Sequence, residues 1–61
     1  MSRYILQIFE DSKWVGIAYA VEWYVIHDAY EELIRNPRNN NNRYRIVEVK
    51  EVQSTVFERY P

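Results

Sequence analysis

The sequence has no cysteine, one histidine (His27) and one glycine (Gly16) in 61 residues. Without cysteine, disulfides and thiolate metal sites are excluded. A single imidazole excludes a histidine-based metal cluster within one chain. A single glycine excludes a glycine-rich phosphate-binding loop. No apolar run reaches the ~20 residues of a membrane-spanning helix. The opening MSRYILQIFEDS has only a short apolar run, cut off by Glu10 and Asp11, so no secretory signal is expected. Neither sign of charge is in excess. Eight basic residues against nine acidic ones give a formal −1, which argues against nucleic acid as a partner and against charge mimicry of DNA. The expectation is a soluble cytoplasmic protein that contacts no membrane.

What the chain does have is apolar and aromatic content. Hydrophobic residues make up 48%, including six Tyr, two Trp and two Phe, too much for a disordered chain. Residues 1–61 suffice for one domain. A chain this short buries only about 60% of its unfolded surface. With disulfides and metal excluded, association with another chain is the remaining common support. Tyr and Trp are also enriched at interfaces. A homo-oligomer is therefore expected.

Residues 3–9, RYILQIF, are β-branched and aromatic and read as a strand buried on both faces. Residues 10–13 form a polar four-residue connection, in which Asp11 and Ser12 suit a turn. Residues 14–26, WVGIAYAVEWYVI, permit two readings. As a strand, bulky odd positions 15 to 25 alternate with small Gly16, Ala18 and Ala20. As a helix, Glu22, Ile26, Ala29, Tyr30, Leu33 and Ile34 share one face. Strand is expected for 14–20, with 21–26 left open. Asp28 to Glu31 has the form of a capping box, which predicts a helix N-terminus at Asp28. Asn36-Pro37 predicts its end. YRIVEV (44–49) reads as a strand with Val47 and Val49 on one face and Tyr44 and Ile46 on the other. The alternation slips at 50–52, the sign of a bulge or bend. Residues 53–58 are again strand-like, so 52–61 is either an extra strand or an arm exchanged between subunits. The expected fold is α+β, order β-β-α-β(-β). One helix covers one face of a small antiparallel sheet and leaves the other face bare.

The tyrosine-led RYILQIF, Trp14 opening a second strand, the helix segment DAYEEL and the strand YRIVEV together resemble small bacteriophage-encoded ββαβ accessory proteins over roughly residues 3–50. The resemblance implies a protein that binds and inactivates a host component. Targets of that class include defence enzymes, and some members sequester nucleotide signals. It carries over no catalytic residue.

Enzyme chemistry finds little footing. Ser2, Ser12 and Ser54 stand in a terminus, a turn and a late segment, none in a nucleophile elbow. Glu31 and Glu32 are helix neighbours that point apart, so they are no acid–base pair. Asp28, Glu31 and Glu32 fall short of the roughly six ligands of an oxygen-donor metal site. No enzymatic activity, metal or cofactor is expected.

Binding chemistry concentrates in two places. Residues 35–45, RNPRNNNNRYR, hold four arginines and no acidic residue. Asparagines solvate a loop and tolerate left-handed backbone, so a plain connector is one reading. The other is a tip for an acidic protein or a nucleotide, with Arg35, Arg38, Asn40, Arg43, Tyr44 and Arg45 as candidate contacts. Arg43 and Arg45 leave the loop on one strand face. Tyr44 between them faces either a stacked base or, more commonly, the core. The second place is aromatic: Trp14, Tyr19, Trp23, Tyr24 and Phe57, read as either core or an interface with another copy or partner. The leading expectation is a non-enzymatic module that inhibits a host defence protein by occupying its surface. The runner-up is an oligomeric sponge for an anionic nucleotide.

Overall fold

The computed structural model describes residues 2–39, 41–50 and 53–59. Chain order is β1 (Arg3–Glu10), β2 (Lys13–Ala20), α1 (Trp23–Arg35), β3 (Tyr44–Val49) and β4 (Gln53–Arg59). The strands form one antiparallel sheet in the order β2-β1-β3-β4, and α1 packs on one face of it. This is the α+β architecture expected from the sequence, with 53–59 serving as a strand of the chain's own sheet. Glu51 and Val52, where the slip in alternation was expected, lie outside the described residues.

The β1–β2 connection is tighter than the polar stretch implied. Glu10 and Lys13 already pair, leaving Asp11 and Ser12 as a two-residue turn with φ of 53° and 65°. Two left-handed residues match the twist of a hairpin, which is why such turns form. An L-residue there costs roughly 1–2 kcal/mol, which Asp eases by local hydrogen bonding and Ser does not. Replacing Ser12 with Gly is expected to raise stability by about 1 kcal/mol, read as a higher urea midpoint.

The helix corrects the sequence reading at its start. It begins at Trp23, five residues before the expected cap at Asp28, and Glu22 is the N-cap without a side-chain cap bond. Trp23, Ile26, His27, Tyr30, Leu33 and Ile34 form one stripe at helical spacing. A helix starting at Asp28 would leave Ile26 outside it, whereas here Ile26 and Tyr30 are buried. Burial outweighs the local box, worth about 1 kcal/mol. The helix ends as expected, at Asn36 before Pro37. The Asn36 amide donates to the Leu33 carbonyl, and Asn39 Nδ2 donates to the same oxygen at 2.8 Å.

Two register shifts interrupt the sheet. Leu6 faces Ala18 while Gln7 faces Gly16, so Ile17 is an extra residue in β2. Ile46 faces Phe57 while Val47 faces Thr55, so Val56 is an extra residue in β4. The bulge at Ile17 breaks the strict alternation expected of 14–20. Ala18 and Ala20 lie under the helix, but Gly16 falls on the opposite face. Small side chains there let α1 approach the sheet.

The core is the helix side of the sheet: Leu6, Ile26, Tyr30, Tyr44 and Ile46, with Tyr4, Ile8, Leu33 and Phe57 against it. Much of the aromatic load is absorbed here. Tyr4, Trp23, His27, Tyr30, Phe57 and Tyr44 form a connected series of rings with centroids 4.8–6.2 Å apart. Partial burial, then the Glu48 carboxylate 3.4 Å away, hold the Tyr4 phenol above its ordinary pKa, so it stays a neutral donor.

Candidate site on the open sheet face

Cross-strand partners share a face, so the register lays out the side of the sheet away from α1 as a grid. At one end Tyr19, Ile5 and Val47 stand abreast, with Arg3 and Val49 beside them. Next come Gly16, Gln7, Arg45 and Glu58, and then Trp14, Phe9 and Arg43. The face thus has an aliphatic end and an arginine–aromatic end.

Arg45 is held from two directions. Its guanidinium carbon lies 4.3 Å from the Trp14 ring centroid, and its Nε donates to Gln7 Oε1 at 2.6 Å. Cation–π attraction and a fixed hydrogen bond therefore set the orientation of a half-buried guanidinium. Arg43 lies 5.2 Å from the Phe9 centroid and 5.4 Å from that of Trp14, and it donates to Glu58 at 3.2 Å. Phe9 and Trp14 meet edge to face at 5.2 Å. Among the described residues, no carboxylate lies within ion-pair distance of Arg45 or Arg3.

At the aliphatic end Val47 is fully buried, and the exposed apolar surface is that of Tyr19 and Val21. Tyr19 is 73% exposed, with its hydroxyl leaning over Gly16, where a Cβ would lie 2.7 Å from it. Arg3, Tyr4, Ile5, Tyr19, Ala20, Val21 and Val49 border a groove of about 590 Å³ at this end of the sheet, lined from both of its faces.

The structure divides the candidate residues among several places. Arg43 and Arg45 share the open face with Trp14 and Tyr19. Tyr44 points the other way and is 1% exposed, in edge contact with Tyr30 and bonded at its hydroxyl by Asn42. That burial corrects its reading as a contact residue: among the described residues it is the largest fully buried side chain. Phe57 lies on the helix side against Tyr30 and His27. Trp23 and Tyr24 belong to the first turn of α1, so they do not form one band with Trp14 and Tyr19. Arg35 pairs with Glu32 on the helix surface at 2.8 Å, and Arg38 is exposed in a 3₁₀ turn, Pro37–Asn39. Asn40 lies outside the described residues.

Three of the other asparagines act on the chain itself. Asn36 Oδ1 accepts from the Arg38 amide, Asn39 ties the helix end, and Asn42 bonds Tyr44. These contacts favour the connector reading for 36–42 and leave Arg43 and Arg45 as the positioned cations. Sequence reasoning missed Arg3, Ile5, Gln7 and Phe9 as members of the open face. Their odd spacing in RYILQIF was a usable signal, because it opposes Tyr4, Leu6 and Ile8.

Fixed guanidinium donors stand beside apolar area, and the described residues include no group of three His, Cys, Asp or Glu arranged to hold a metal. None of the described helices is long and apolar enough to cross a membrane. No family model matches the chain, and no significant likeness to a curated protein or a solved structure was found.

Proposed function

We propose that the protein is a non-enzymatic binding module that inhibits a host protein by occupying part of its surface, in the manner of the phage accessory proteins its sequence resembles. One observation carries this reading. The sheet face away from α1 exposes Tyr19 and Phe9 beside arginines already held in place. Exposed aromatic and arginine side chains grouped on one surface are the composition of protein interfaces. The test is affinity capture from host extract, followed by assay of the captured protein with and without the module. The Tyr19→Ser/Val21→Ser variant changes only exposed side chains and is expected to keep its circular dichroism. Capture should weaken at least about tenfold, the usual scale for interface aromatics. Undiminished capture by the folded variant would refute the open face as the contact surface.

A second reading has its own support. Arg43 and Arg45 share a strand face beside Trp14, as a nucleotide sponge would require. Against it, Arg45 covers the ring face on which a base would stack. Native mass spectrometry separates the two readings. Added mass of nucleotide size, lost when both arginines become alanine, would favour the sponge.

A further inference from the structure

We infer that the open face recognises an acidic, partly apolar segment of its partner protein, with a carboxylate seated on Arg45; this rests on the binding-module reading above. The formal charge of −1 hides a division across the molecule. The helix and its cap carry four carboxylates (Glu22, Asp28, Glu31 and Glu32) against Arg35 alone. Among the described residues, the open face carries Arg3, Arg43 and Arg45 against Glu58 alone. An occupant of that face therefore meets positive potential, although the whole chain is slightly negative.

The geometry at Arg45 narrows the ligand. Trp14 lies against the guanidinium and Gln7 takes Nε, so the two Nη groups are the donors a ligand would use. A planar fork held by an aromatic ring is arranged for a planar, two-oxygen acceptor. The neighbouring side chains fix the rest. Ile5, Tyr19, Val21 and Val49 give the ligand an apolar surface further along the same face, around Arg3. A segment alternating acidic and apolar residues satisfies both halves.

Two other occupants fit less well. A second copy docked face to face would bring Arg3, Arg43 and Arg45 near their own counterparts. A second copy docked by its acidic helix would match in charge, but that contact is heterologous and builds a ring or a fibre rather than a closed pair. Single-stranded nucleic acid needs open ring faces for stacking. Arg45 and Arg43 already lie over Trp14 and Phe9.

The experiment titrates the full chain with short peptides of equal length alternating Leu with Glu, Ser or Lys, and separately with oligothymidylate. Calorimetry and tryptophan fluorescence report binding. The Glu–Leu peptide is expected to bind at least about tenfold more tightly than the other two. Arg45→Gln should remove that preference while the circular dichroism stays unchanged, and Arg45→Glu should turn it toward the Lys–Leu peptide. Equal binding of the three peptides, or no binding, overturns the inference. Tighter binding of oligothymidylate with a steep salt dependence assigns the face to nucleic acid instead. Self-association in sedimentation that the Glu–Leu peptide does not disperse assigns it to a second copy. The capture assay above separates the two levels of proposal. If Tyr19→Ser/Val21→Ser abolishes capture and Arg45→Gln leaves it intact, acid recognition falls and the binding module stands.

Discussion

Leu6→Ala is expected to leave most of the isolated protein unfolded at 25 °C. Leu6 is 0% exposed at the centre of the helix-side core, opposite Ala18 on one strand and Ile46 on the other. Truncating a buried leucine removes its transfer energy and leaves a cavity, at a cost of about 2–5 kcal/mol. At ~0.05–0.15 kcal/mol per residue, a domain this size has roughly 3–9 kcal/mol in total. The loss is thus comparable to the whole stability, and Ala18 beside the cavity is too small to fill it. Urea titration followed by circular dichroism should show the folded baseline shortened or absent. A midpoint within error of the unsubstituted protein would mean that Leu6 is not the centre of the core.

Tyr44→Ala is expected to be about as damaging, and Tyr44→Phe nearly harmless. Removing a buried aromatic side chain costs about 3–5 kcal/mol. It would also break the edge contact with Tyr30 and free the end of the 36–42 connector that Asn42 secures. The phenylalanine variant keeps the ring and loses only the hydroxyl bond, a net ~1 kcal/mol. The pair of variants separates the two roles this tyrosine could have between its arginines. As a core residue, Tyr44→Phe should bind the acidic peptide like the unsubstituted chain. A folded Tyr44→Phe protein with tenfold weaker binding would return the hydroxyl to the contact surface.

The strands were legible because their residues alternate by chemistry. YRIVEV separates Tyr44 and Ile46 from Arg45 and Val47 without any knowledge of the fold, and the two arginines fall on one face as that alternation requires. The helix stop was legible because proline restricts the residue before it. The helix start was not, because Asp28 and Glu31 give a strong local cap signal while the competing term is tertiary. Only burial of Ile26 against the sheet reveals that the helix must begin at Trp23. The bulge at Ile17 left no mark either, since one inserted residue changes no composition. The core role of Tyr44 was one of two open readings, which burial decided. The stacking of Arg45 on Trp14 joins residues 31 positions apart in the sequence and exists only once β1 has paired with both neighbours. Alternation thus predicted which face each arginine takes, whereas its aromatic and amide partners depended on register.

The two irregular pairings bear on how this sheet ends. Both fall on its outermost strands, β2 and β4, and each puts a half-exposed aliphatic side chain at the irregularity, Ile17 or Val56. An outer strand with an even row of amides and carbonyls is a template on which another chain can add. A single extra residue throws that row out of step and sharpens the local twist. An incoming strand would find pairing on one side of the irregularity and mismatch on the other. The sheet is thereby kept at four strands, with fibre-like growth opposed from both margins. That protection matters in a chain so rich in β-forming residues.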